Sequence, residues 1–162
     1  FEDFNTRLVL GNDEPVYLPA SEACSYHQIV FAHGFFSSAL HEIAHWCIAG
    51  KERRALEDYG YWYCPDGRDD AQQAAFEQVE VKPQAVEWAL THASGRLFQV
   101  STDNLDGVEP DRQAFTCAVR SKLIDLLHEG LPVRAQRLID RLQQTFNTQP
   151  LTVFALEQQH HG

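Results

Sequence analysis

The sequence has no methionine, no pair of cysteines in C-x-x-C spacing, and no apolar run near the roughly 20 residues that a membrane-spanning helix needs. The missing run excludes a helical span, so no membrane is expected as a partner. Basic residues are scarce: 13 Lys and Arg stand against 23 Asp and Glu, a net charge of −10. A surface that neutralises nucleic-acid phosphates needs clustered Lys and Arg, so nucleic acid is excluded as well. The long-range field of such a chain favours cationic ligands. Cys24, Cys47, Cys64 and Cys117 match neither a metal-binding pair nor a dense disulfide framework, and free thiols in a reducing compartment are expected. Phe1–Thr6 is acidic and polar, unlike a signal peptide, and a cytoplasmic protein is expected. Met is lacking even at position 1, which suggests that an N-terminal piece precedes the numbered chain. Neither an internal repeat nor a low-complexity stretch stands out.

What is present is an ordinary globular mixture: 162 residues, 44% hydrophobic and 22% charged. That is enough to bury one core without staples. One domain over residues 1–150 is expected, with 151–162 as a weakly patterned tail. Thr6–Leu10 and Pro15–Leu18 read as strands joined in a hairpin through Gly11-Asn12-Asp13. Ile29–Ala32 has strand length. Phe36, Leu40, Ile43, Ala44, Cys47 and Ile48 recur at helical spacing, and Gly50 stops that helix. Tyr59–Cys64 reads as an extended aromatic segment that leads into the turn Pro65–Asp69. Asp69 or Asp70 can cap a helix from about Ala71, which Pro83 kinks or restarts and Ser94-Gly95 closes. Ser101–Pro110 reads as a loop. Asp111–His128 is a helix with Phe115, Ala118, Val119, Leu123, Leu126 and Leu127 as its stripe. Pro132 opens a last long helix with the stripe Val133, Leu138, Ile139, Leu142 and Phe146. The fold class is therefore α+β, several helices around a small sheet.

The sharpest chemical signal is His41-Glu42-Ile43-Ala44-His45 inside the first long helix. Residues four apart share a helical face, so both imidazoles can reach one metal ion. Glu42 sits about 100° around the helix from His41. This is the H-E-x-x-H pattern of zinc peptidases and related metal enzymes. No third histidine follows in the longer pattern, so a downstream carboxylate is expected as the third ligand. Glu77 and Glu80 are three apart on one helix face; Glu80 is the first choice and Glu77 the second, with Glu87 two turns on. Tyr63, Asp66, Arg68, Asp69 and Glu77 are the candidate substrate-contacting residues, packing and self-paired turn chemistry being the alternative. His33 reads as a structural histidine, and Tyr59 as a packing residue. Cys47 and Cys64 read as small buried residues.

Long words of the sequence carry a resemblance. Phe31-Ala32-His33-Gly34-Phe35, Ser38 through Lys51, Tyr59 through Asp69, Phe76-Glu77 with Val79 through Ala85, and Asp103-Asn104-Leu105 with Glu109 through Arg112 resemble the elongation factor P hydroxylase family. The likeness runs from Phe4 to about Phe146. It implies a cytoplasmic bacterial enzyme that hydroxylates the β-lysylated lysine of elongation factor P, with molecular oxygen consumed. It also implies a fold akin to metal-dependent hydrolases and a non-haem Fe(II) centre held by His41, His45 and a carboxylate in the Glu77–Glu80 stretch. Spacing alone does not choose the metal. Two His and one carboxylate suit Fe(II) with open positions, and they equally suit zinc or another divalent ion with a bound water. In the hydroxylase, Glu42 orients its surroundings or passes protons. In the alternative, a zinc peptidase or nuclease, Glu42 is the general base.

Overall fold

A computed structural model describes residues 2–12, 14–60, 67–102 and 110–158. Among them lie a three-stranded sheet and five α-helices, which makes the chain α+β. It divides into two compact units, Phe1–Trp62 and Tyr63–Gly162.

The first unit holds β1 (Thr6–Leu10), β2 (Val16–Leu18) and β3 (His27–Phe31) in the order β1-β3-β2. β1 runs parallel to β3, and β2 runs antiparallel to it with Tyr17 opposite Ile29. The expected β1–β2 hairpin is not formed, because β3 lies between the two. The cause is burial: Ile29 is 0% exposed, and a hairpin would leave this most apolar strand on an edge. Gly11 serves the ladder instead of reversing it, its N–H donating to the Phe31 carbonyl at 2.9 Å. A Cβ there would come within 2.6 Å of Val30, so the close approach requires glycine.

α1 (Phe36–Ile48) packs on β3. It follows the left-handed pair His33 (φ 54°) and Gly34 (φ 72°), and Ser38 Oγ accepts from the Ala32 N–H at 3.2 Å. Its buried face is Ala39, Leu40, Ile43, Ala44, Trp46 and Cys47, and Trp46 meets Phe4 edge-on at 5.3 Å. Two short 3-10 turns follow, Arg53–Ala55 and Glu57–Gly60. In the second, Asp58 (φ 45°) and Tyr59 (φ 59°) are left-handed, a conformation that costs an L-residue about 1–2 kcal/mol. Tertiary bonds offset this. The Asp58 carboxylate accepts from the Tyr17 N–H at 2.8 Å, the Tyr59 carbonyl accepts from the Arg53 guanidinium at 3.0 Å, and the Tyr59 ring stacks on Tyr17 at 4.3 Å. The expected extended segment therefore starts as a turn at Tyr59-Gly60; Tyr61–Cys64 lie outside the described residues.

The second unit contains α2 (Asp70–Ala93), α3 (Arg112–Glu129), α4 (Val133–Phe146) and α5 (Val153–Gln158). Asp69 caps α2 in a reciprocal box: its carboxylate accepts from the Gln72 N–H at 2.8 Å, and Gln72 Oε1 accepts from the Asp69 N–H at 3.1 Å. Replacing Asp69 by Ala is expected to lower stability by about 1 kcal/mol, read as a fall of roughly 2–4 °C in Tm. Pro83 does not break the helix, which runs unbroken from Asp70 to Ala93. Only the Val79 carbonyl loses its donor, at an exposed position, while Pro83, Ala85, Val86 and Leu90 all bury against the interior.

α2 packs against α3 and α4, and its buried apolar residues share a core with Val119, Leu123, Ala135 and Ile139. Asp111 caps α3 through the Ala114 N–H at 2.9 Å. The stripe of α4 is narrower than its sequence suggests: Ala135 and Ile139 are buried, while Val133 and Phe146 face solvent. Beyond Pro150 the chain is not featureless. Leu156 of α5 is fully buried, and its carbonyl accepts from the Arg120 guanidinium at 3.0 Å. No helix among the described residues is long and apolar enough to cross a membrane.

Candidate metal centre

The 3.6-residue period of α1 puts His41 and His45 one above the other. Their Nε2 atoms are 3.1 Å apart and the rings meet edge-on at 69°, so both nitrogens converge on one point. Two metal–nitrogen bonds of about 2.1 Å that meet at 90–109° place their nitrogens about 3.0–3.4 Å apart. The observed separation falls inside that interval.

Glu80 is 1% exposed on α2. Its Oε2 accepts from Gln84 Nε2 at 3.3 Å. Gln84 is held in turn by the backbone of Ser101: its Nε2 donates to the Ser101 carbonyl at 2.8 Å and its Oε1 accepts from the Ser101 N–H at 3.0 Å. A buried carboxylate is tolerated when it is paired or coordinates a metal. His41, His45 and Glu80 can hold such an ion, each offering one ligand atom and all three atoms lying within 4.8 Å of one another. Two imidazoles and one carboxylate fit a catalytic divalent metal with open positions. Glu80, the first choice on sequence, is the carboxylate in this group, and Glu77 is not.

Glu77, one turn earlier and half-buried, ends a relay of its own. Its Oε1 accepts from Gln73 Nε2 at 2.8 Å, and Gln73 Oε1 accepts from Arg68 Nε at 2.8 Å. Arg68 is 2% exposed, with its guanidinium carbon 3.9 Å from the centre of the Phe76 ring. Asp69 is exposed and caps α2. Tyr63 and Asp66 lie outside the described residues. Glu87 is buried, as is Cys47; Cys64 is outside the described residues. His33, expected to be structural, is exposed in its left-handed turn.

Glu42 is half-buried on α1 beside His41. Its carboxylate reaches Tyr59 electrostatically. Burial first, and the Glu42 charge second, push the Tyr59 phenol far above its ordinary value. Gln73 and Gln84, which hydrogen-bond Glu77 and Glu80, are residues that sequence reading passed over, though each carried a signal, lying four positions from a glutamate on the same helix.

The family model described as elongation factor P hydroxylase matches residues 1–156 of this chain. A relative from Haemophilus influenzae, named elongation factor P lysine hydroxylase, is 54% identical over 148 residues, covering 91% of this chain and 83% of the relative.

Proposed function

This chain belongs to the elongation factor P hydroxylase family, and from that premise we propose that it is an iron-dependent hydroxylase acting on a lysine of elongation factor P that already carries a β-lysyl group. The observation that carries the reading is the match over nearly the whole chain to a relative named elongation factor P lysine hydroxylase. The cytoplasm, where translation factors act, is its place of work. It is part of the proposal that the fold is akin to metal-dependent hydrolases, with the metal put to oxidative use.

His41, His45 and Glu80 hold the iron, which when bound supplies the redox chemistry that lets molecular oxygen hydroxylate a C–H bond. Gln84 fixes the direction of the Glu80 carboxylate through its two bonds to Ser101. The substrate-contacting set is Tyr63, Asp66, Arg68, Asp69 and Glu77. Glu77 is its central member: the neutral Gln73 amide satisfies one oxygen and leaves the carboxylate its full charge to meet the ammonium of a long cationic side chain. Arg68 fixes Gln73 and so fixes Glu77. The acidic balance of the chain draws such an arm in.

Glu42 orients its surroundings and handles protons. No water is the nucleophile in hydroxylation, so the general-base role of a zinc hydrolase, which contributes roughly 10²–10⁴-fold, disappears. Glu42→Gln is expected to keep its metal and to lower single-turnover product formation about 10–100-fold. A metal-loaded Glu42→Gln protein with no detectable product, or a peptide or phosphodiester bond cleaved by the wild type and spared by the variant, points to the hydrolase instead.

The direct test is mass spectrometry of β-lysylated elongation factor P incubated with the protein and Fe(II). A gain of one oxygen atom on the modified lysine in air, and none without oxygen, is the expected result. No gain in air overturns the proposal.

A further inference from the structure

One buried side chain of α2 holds the carboxylate of the candidate centre and the backbone of a second segment at once. Gln84 is 1% exposed, and its amide has two hydrogens to give and an oxygen to receive. Nε2 donates to the Ser101 carbonyl at 2.8 Å and to Glu80 Oε2 at 3.3 Å, and Oε1 accepts from the Ser101 N–H at 3.0 Å. The Ser101 side chain is exposed, whereas Val100 and Thr102 on either side of it are buried. That alternation is the period of an extended chain, and the Gln84 amide meets Ser101 as the opposite residue of an antiparallel pair would, through both N–H and C=O. The Val100 carbonyl accepts from the Arg112 guanidinium at 2.9 Å, so α3 holds the same segment. These bonds account for the residue type. Glutamate at 84 would set lone pairs against the Ser101 carbonyl and the Glu80 carboxylate, and an apolar residue would answer neither group of Ser101. Directing Glu80 uses one of the three bonds. The other two tie it to a segment outside the set His41, His45 and Glu80.

We propose that Gln84 is a latch that couples occupancy of the metal centre to the Val100–Thr102 segment. With the Glu80 carboxylate held by an ion, the Gln84 amide is held in the orientation that bonds Ser101, and the closed latch in turn keeps Glu80 aimed at the ion. The inference rests on the reading that Glu80 is a metal ligand, and it adds a response of the chain to the metal. Such coupling is reciprocal: the factor by which the latch raises metal affinity is the factor by which metal favours the closed latch. Loss of a group that orients a ligand typically costs about 10–100-fold in metal affinity, so both effects are expected in that range.

The test is amide hydrogen exchange by NMR on the full chain, with diamagnetic Zn(II) as the probe. Exchange through local opening reads the Ser101 N–H, whose acceptor is the latch itself. Saturating Zn(II) is expected to slow exchange at Ser101 about 10–100-fold in the wild type. The Ala155 amide, which donates to Thr152 Oγ1 outside this network, is expected not to change. Gln84→Met keeps the length of the side chain and removes all three bonds. Its Kd for Zn(II), measured by competition with a chelator, is expected to rise by the factor seen at Ser101, and Ser101 is expected to exchange fast with or without the ion. A wild type that binds Zn(II) with no slowing at Ser101 overturns the latch, and that result needs no variant to fold. Wild-type Zn(II) affinity in Gln84→Met overturns it too. Zn(II) bound as tightly by Glu80→Ala as by the wild type would remove the assigned centre and the latch with it. Neither readout uses turnover, so a failure of hydroxylation is told apart from a failure of the latch.

Discussion

His41→Ala and His45→Ala will each yield a folded protein that binds no metal and forms no product. Both side chains are half-buried, on a helix whose buried face is Ala39, Leu40, Ile43, Ala44, Trp46 and Cys47, so truncating them leaves the packing of α1 in place. What is lost is one of two nitrogens that converge at 3.1 Å. The remaining imidazole and Glu80 make two protein ligands, one short of the three that hold a catalytic ion. A melt reads this without any assay of turnover. An ion at about 100 times its Kd stabilises the native state by about 2.7 kcal/mol, which is roughly 5–11 °C in a chain of this size. The wild type should show that rise on adding Fe(II) or Zn(II) and lose it to a chelator. Each histidine variant should melt near the metal-stripped wild type and should not respond to metal. Full metal occupancy with full turnover in His41→Ala would sink the assignment of the centre.

The parts of this molecule that sequence shows plainly are those governed by neighbours a turn away. The His41–His45 pair and the Asp69 cap are matters of i, i+3 and i, i+4 spacing, and the structure has them as expected; of the stripe of α3, Phe115, Val119, Leu123 and Leu126 are buried and Leu127 half-buried, while Ala118 faces solvent and Asp111 caps the helix from outside it. Strand order is not local. Thr6–Leu10 and Val16–Leu18 are close in sequence and separated by a turn signal, yet each pairs with His27–Phe31, because burying Ile29 from both sides outweighs the short connection. Pro83 misleads for a similar reason: one lost ladder bond is a local cost, and the burial of Ala85, Val86 and Leu90 around it is a tertiary gain. The left-handed Asp58-Tyr59 pair leaves no mark in the sequence, since neither residue is glycine and the bonds that hold them come from Tyr17 and Arg53. At the site, spacing narrows the carboxylate to Glu77 or Glu80 and cannot go further, as both lie on one face. Burial separates them: Glu80 is 1% exposed, whereas Glu77 is half-buried.

That separation makes the two glutamates fail in different ways. Glu80 supplies the only negative charge in the proposed ligand set, and its Oε2 is already directed by Gln84. Glu80→Ala is therefore expected to cost at least as much activity as losing a histidine, with metal content falling in parallel. Glu80→Gln keeps the volume and removes the charge, so it should fare little better: a neutral amide is a far weaker ligand for a divalent ion. Glu77 is predicted to touch substrate and not metal. Its replacement should leave metal content and the metal-dependent rise in Tm intact. A hydrogen bond to a charged group contributes about 1.5–3 kcal/mol, so Glu77→Gln is expected to raise KM for the cationic substrate roughly 10–100-fold while kcat at saturation stays near wild type. Salt discriminates further, because a screened charge–charge attraction weakens with ionic strength. The wild-type KM should rise as salt is added, and the Glu77→Gln KM should rise much less. Metal analysis and a KM–kcat split on the same two preparations decide the matter. Loss of metal in Glu77→Gln with retention in Glu80→Ala would move the ligand by one helical turn and exchange the roles of the two carboxylates.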